Sequence, residues 1–141
     1  MEQANSNLPT PVPVAFLICD QVSVELQTGK KTLSGLFDRI WVKVFPTTHG
    51  RSTLFARVID CEGEYQFKFE YVQVSTQTIL GEASGTVTCR DRQQYSDLTL
   101  PWPAMPLPER GEYEFRLWMN DKFISRSRLT ALLMGEMEIQ P

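Results

Sequence analysis

The chain has 141 residues, 42% of them apolar and 22% charged, the balance of a soluble globular domain rather than of a disordered chain, a collagen or a membrane bundle. Lys+Arg 14 against Asp+Glu 17 gives a net charge of −3, which argues against nucleic acid as a partner because that needs a clustered basic surface. One histidine and three scattered cysteines exclude most metal and triad chemistry.

No lysine or arginine precedes Lys30, so the positively charged start of a secretory signal is missing. The longest apolar run, Val14 to Cys19, is six residues, against the ~20 that a membrane-spanning helix needs. A cytoplasmic location without membrane contact is expected. In a reducing cytosol Cys19, Cys61 and Cys89 are expected to be free thiols, packed as small hydrophobes.

Residues 1–13 are polar and carry Pro9, Pro11 and Pro13, which predicts a flexible, extended lead. Residues 14–141 are expected to form a single domain. From Val14 the apolar residues recur every second position, the period of a strand: Val14, Phe16 and Ile18, then Val22, Val24 and Leu26. Gln27-Thr28-Gly29-Lys30 has turn chemistry. Thr32 to Phe45 reads as a strand whose inward face switches from Leu33 and Phe37 to Ile40, Val42 and Val44, as a bulge near Asp38-Arg39 would allow. Pro46 to Arg51 reads as a loop. Thr53–Asp60 and Glu64–Val74 read as a hairpin closed by Glu62-Gly63, with Val58 opposite Phe67, Ala56 opposite Phe69, and the pairs Arg57–Lys68 and Phe55–Glu70 on the other, outward face.

Ile79 to Cys89 is a further strand. Its small residues Gly81, Ala83 and Gly85 predict the close approach of another element. Tyr95 to Leu100 is a short strand, and Pro101 to Pro108 reads as a crossover loop because proline cannot donate to a ladder. Gly111 to Asn120 alternates Tyr113, Phe115, Leu117 and Met119 inward with Glu112, Glu114 and Arg116 outward. Asn120-Asp121 is a turn, and Lys122 to about Leu133 returns as a strand, although Leu129, Leu132 and Leu133 also fit a helical turn. The fold class is all-β: an immunoglobulin-like antiparallel β-sandwich of about 7–8 strands, without the Cys…Trp…Cys pattern of antibody domains.

The runs Ala15-Phe-Leu-Ile-Cys-Asp-Gln-Val and Thr28-Gly-Lys-Lys-Thr-Leu-Ser-Gly-Leu-Phe-Asp-Arg-Ile resemble an uncharacterised bacterial family of small β-sandwich proteins, a domain of unknown function. Gly63-Glu-Tyr-Gln-Phe and Pro108-Glu-Arg-Gly-Glu-Tyr-Glu-Phe fit the same resemblance, which extends from about Val14 to Leu133. It implies a fold, with no activity, substrate or catalytic residues.

No catalytic or cofactor set emerges. His49, in Thr47-Thr48-His49-Gly50, reads as an exposed loop residue and has no neighbouring ligands of the kind zinc requires. Ser34, Ser52 and Ser96 lack a nucleophile elbow, and Glu82-Ala83-Ser84-Gly85 misses its first glycine. Asp20, Asp38, Asp60, Glu62 and Glu64 sit near strand ends, where carboxylates are solvated or cap the backbone. Arg90, Arg92, Arg116, Arg126 and Arg128 read as solvated strand faces. No metal and no cofactor is expected.

The aromatic residues carry the remaining signal. Trp41, Phe55, Ile59, Trp102 and Trp118 can all point outward in some strand registers. Gathered together they would make an interface patch; otherwise the tryptophans cover the ends of the core. The expectation is a non-enzymatic domain acting through protein–protein contact, with an unknown protein or a second copy of itself as partner. The alternative is a carbohydrate or small-ligand module that stacks its ligand on exposed Trp102 and Trp118. A groove with tryptophan, Asn120 and Asp121 at its edge would favour the alternative.

Overall fold

A computed structural model describes residues 7–136. In chain order the strands are β1 (Val12–Cys19), β2 (Gln21–Val24), β3 (Lys31–Ser34), β4 (Arg39–Val42), β5 (Thr47–His49) and β6 (Ser52–Ile59). They continue with β7 (Gly63–Gln73), β8 (Thr78–Cys89), β9 (Ser96–Trp102), β10 (Met105–Leu107), β11 (Gly111–Met119) and β12 (Lys122–Leu133), and a single 3-10 turn follows at Met134–Glu136. A three-stranded sheet, β1-β6-β9, faces a five-stranded sheet, β4-β12-β11-β7-β8. Two small ribbons, β2-β3 and β10-β5, complete the fold. The pairing is antiparallel except between β12 and β4, which run parallel. The architecture is all-β and sandwich-like, with more and shorter strands than the periodicity alone separates.

The core lies between the two sheets, and alternation puts it there. From the smaller sheet Phe16, Ile18, Leu54, Ala56 and Val58 point inward; from the larger come Phe69, Tyr71, Tyr113, Phe115, Leu117 and Met119. The Phe115 ring lies 4.9 Å from Tyr71 and 5.1 Å from Trp102, centroid to centroid. The buried tyrosines place their hydroxyls on backbone: Tyr65 Oη donates to the Pro9 carbonyl at 2.6 Å and Tyr71 Oη to the Pro106 carbonyl at 2.8 Å. A buried phenol without such a partner would cost about 1–3 kcal/mol.

The β11–β12 hairpin matches its sequence reading. Asn120 and Asp121 have φ of 48° and 64°, the left-handed pair a two-residue hairpin needs. Asn120 also accepts the Gln66 amide on its Oδ1 at 2.9 Å. The β2–β3 ribbon turns at Gly29, φ 73°.

Thr53–Asp60 and Glu64–Val74 are not a hairpin. β6 pairs with β1 and β9, whereas β7 pairs with β11 and β8. Asp60-Cys61-Glu62 is therefore a crossing between sheets, with Asp60 at φ 62° and its amide bound to the Arg92 carbonyl. Alternation identified the core-facing residues of both arms but could not tell pairing within a sheet from facing across the core. Phe55 and Glu70, expected on a solvent face, are both buried. Phe55 points outward from β6, but the β2–β3 ribbon lies over that face: β2 packs on β6, and Lys31 pairs with Asp97.

Other corrections share one cause: short segments change partners. The expected bulged strand over Thr32–Phe45 is two strands, β3 and β4, in different sheets, and Gly35 at φ 71° marks the break. Leu26, expected to continue the β1 face, is 98% exposed at the ribbon tip. The Pro46–Arg51 loop contains β5, which pairs with β10. Pro101 and Trp102 extend β9 on a sheet edge, where a missing donor is tolerated. The proline-containing lead is docked from Leu8 onward: Leu8 packs on the core, and Thr10 Oγ1 accepts from Lys122 Nζ at 3.1 Å. Residues 1–6 lie outside the described residues.

Candidate functional site

The five aromatic and aliphatic candidates do not form one patch. Trp102 is buried in the core, and its Cζ2 would lie only 3.1 Å from a Cβ on Gly81. Phe55 is buried, with the Arg57 guanidinium 5.8 Å from its ring centre, and Ile59 is half-buried opposite Val12 on the outer side of the smaller sheet. Trp41 and Trp118 share the outer side of the larger sheet, but beside Leu132 and Phe123, at opposite ends of β12. His49 is half-buried in β5 rather than free in a loop, with its ring 5.6 Å from that of Phe37. Burial lowers its pKa, and Asp20 partly opposes the shift.

Two features of the larger sheet stand out. The first is the free edge of β8. This twelve-residue strand pairs with β7 along one side, and among the described residues nothing pairs with the other. Natural edges are usually short, bulged or armed with lysine or proline. β8 carries no lysine, arginine or proline, and its ladder shift near Tyr71/Val72 leaves Gly81–Cys89 in one regular register. Glu82, Ser84, Thr86 and Thr88 are exposed on the outer side, and Gly81, Ala83, Gly85 and Val87 are half-buried on the inner. The inner residues are small because aromatic rings press on them: a Cβ on Gly85 would meet Phe67 Cζ at 2.7 Å. The expected close approach at Gly81 and Gly85 is thus made by Trp102 and Phe67.

The second feature is a groove of about 340 Å³ beside that edge, which Gln66, Lys68, Ser84, Thr86, Trp118 and Asp121 help to line. Trp118 Nε1 donates to Glu70 Oε1 at 2.7 Å, and Lys68 Nζ sits 5.6 Å from the centre of the indole. The polar fringe suits a hydroxylated ligand, but Lys68 and Phe123 already occupy positions around the ring. Trp102, the other expected platform, is inaccessible.

Behind the edge the sheet is held by a buried carboxylate. Glu114, expected to point into solvent, is 1% exposed and pairs with Arg116 and with Arg128 Nε at 2.9 Å. Burial alone would raise its pKa; the hydrogen bonds from Arg116 and Arg128 outweigh that and hold it below the ordinary carboxylate range. On the smaller sheet burial likewise raises Asp97, and Arg57 and Lys31 bring it down. The three cysteines are buried free thiols. Burial, reinforced by the adjacent Cys89, pushes the Cys61 thiol up to about 12. These groups are set up for stability, since a reactive thiol needs a lowered pKa.

Sequence alone does not mark Glu82, Ser84, Thr86 and Thr88 as an edge surface, because nothing in a strand's own residues tells whether it lies inside or at the edge of a sheet. The available signal is compositional. A long strand with hydroxyls outward and glycine or alanine inward cannot fill a core position.

The fold and this surface define an all-β, sandwich-like domain with one long open strand edge. The chain belongs to the family described as a family of unknown function, DUF6941, whose model matches residues 14–132. No curated protein matches it. Among the described residues no helix is long and apolar enough to cross a membrane.

Proposed function

We propose that this domain is a non-enzymatic, cytoplasmic β-sandwich that works by protein–protein contact, and that its working surface is the free edge of β8. The single observation that carries this reading is the length and regularity of that edge. Gly81–Cys89 presents unpaired backbone donors and acceptors without the lysines, prolines or bulges that normally discourage pairing. An extended segment can add there as a further strand, main-chain hydrogen bonds giving affinity and alternate side chains giving selectivity. Reduced thiols buried in the core fit the cytoplasmic setting.

Native co-purification from the source cells tests this reading. The comparison is between wild type, Ser84→Lys/Thr86→Lys and a control on another strand, Arg126→Glu. A protein retained by wild type and control but lost by the β8 variant is expected. Equal retention by all three would contradict the assignment.

A second reading is carbohydrate or small-ligand binding in the Trp118 groove, favoured by the polar fringe of Gln66, Ser84, Thr86 and Asp121. Quenching of Trp118 fluorescence by soluble glycans, absent in Trp118→Phe, would support it.

A further inference from the structure

We infer that the strand received by the β8 edge is β8 of a second copy, paired antiparallel about a two-fold axis at Ser84, so that two five-stranded sheets join into one. This rests on the reading of β8 as the working edge and names its partner.

The edge is self-complementary. In an antiparallel pair, residues that face each other must point to the same side of the sheet. A two-fold at Ser84 meets this condition, setting exposed Ser84 against itself and Glu82 against Thr86, the regular pairing ending at Leu80, which the ladder shift turns onto the core. It also sets half-buried Ala83 against Gly85 and Gly81 against Val87. No bulky pair meets on the inner side, where Trp102 and Phe67 leave no spare room. On the outer side hydroxyl meets hydroxyl or carboxylate, cross-strand combinations that stabilise sheets.

The charges point the same way. Glu82 is the only charged residue in β8, and among the described residues it has no ion-pair or hydrogen-bond partner. The axis at Ser84 keeps the two Glu82 carboxylates apart. Each then lies opposite a Thr86 and on the diagonal from the partner copy's Lys68, one strand behind its Ser84. Lys68 already lies over Trp118 and beside Glu70, and can reach toward Glu82 as well. Its side chain is 44% exposed, and its contact with Glu70 is a loose 3.7 Å. The two-fold supplies the Glu82–Lys68 attraction twice. An isologous contact of this kind closes at the dimer and does not propagate, so an undefended edge need not lead to aggregation.

The test uses the full chain with cysteine introduced singly at three positions, the three native thiols being buried. Paired Ser84→Cys residues would have Cα atoms about 5 Å apart, within disulfide range. Those of Glu82→Cys or Thr86→Cys would be about 14 Å apart, out of range. Diamide treatment should therefore link Ser84→Cys into a covalent dimer and leave the other two monomeric on denaturing gels. Sedimentation should show a concentration-dependent dimer for wild type and a monomer for Ser84→Lys, with unchanged circular dichroism. If Ser84→Lys fails to fold, the cross-linking pattern alone decides. A wild-type chain monomeric at every concentration would overturn the second-copy proposal while leaving a foreign partner at this edge possible. A dimer that survives Ser84→Lys, or that cross-links best at 82 or 86, would overturn the pairing itself. In the survival case the dimer lies elsewhere and β8 loses its standing as the contact surface.

Discussion

Phe69, at the middle of β7, and Phe16, in β1, meet across the core with ring centroids 5.6 Å apart. The contact joins the two sheets, and Phe69 has no exposed surface. Phe69→Ala should cost about 3–5 kcal/mol through lost contacts and the cavity left behind. Its neighbour Lys68 points to the other side of the sheet, and Lys68→Ala should stay within about 0.5 kcal/mol. Urea denaturation of both variants checks the facing; a larger effect at Lys68 would mean that the faces are inverted.

The glycines of β8 give a graded expectation. Alanine in a strand reduces the entropy of the unfolded chain, a gain of about 0.4–1 kcal/mol when the site has room. At Gly85 the added carbon would lie 2.7 Å from Phe67 Cζ, and at Gly81 3.1 Å from Trp102 Cζ2. Phe67 is half-buried and must rotate or shift, so Gly85→Ala should be destabilising by about 1–3 kcal/mol. Gly81→Ala needs a smaller adjustment and should come out closer to neutral. Thermal melts of the two variants measure the difference.

Acid stability should depend on Glu114. Its folded-state pKa is depressed, so the ion pairs with Arg116 and Arg128 contribute stability above the unfolded carboxylate pKa, and that contribution is lost as pH falls through the lower folded value. Glu114→Gln should lower stability at neutral pH by about 1–3 kcal/mol and flatten its decline between neutral and acid pH. The wild-type and variant curves should converge at low pH; a constant gap would show that the carboxylate's charge is not what holds Arg116 and Arg128.

The thiols should be unreactive in the folded protein. Burial, with Cys89 alongside, raises the Cys61 thiol to about 12, and the thiolate is the reacting species. Maleimide labelling of Cys61 and Cys89 at neutral pH should therefore follow the rate of unfolding rather than reagent concentration.

Period-two alternation carried much of the fold. It placed Phe69, Tyr113, Phe115, Leu117 and Met119 inward, and turn chemistry located Asn120-Asp121. What it could not carry was partnership. β6 and β7 have the local signature of a hairpin, yet lie in opposite sheets, because an inward-facing strand looks the same to its own residues whichever layer it joins. Glu114 failed for a related reason. Alternation turns it outward, toward expected solvent, while Arg116 two positions along and Arg128 on the next strand close over it. The open edge of β8 was equally hidden, since edge position belongs to the sheet as a whole; only its small inner residues, Gly81, Ala83 and Gly85, left a mark in the sequence.

The role of the β8 edge is tested most directly by hydrogen exchange on the Gly81–Cys89 amides, comparing protein isolated with its native partner still bound against the same chain at high dilution. Along an edge strand every second amide faces outward and is left to solvent. Those amides should exchange rapidly in the dilute chain and become protected in the assembly, while β12 changes little. Unaltered exchange along β8, with new protection on β12 or around Trp118, would contradict the assignment.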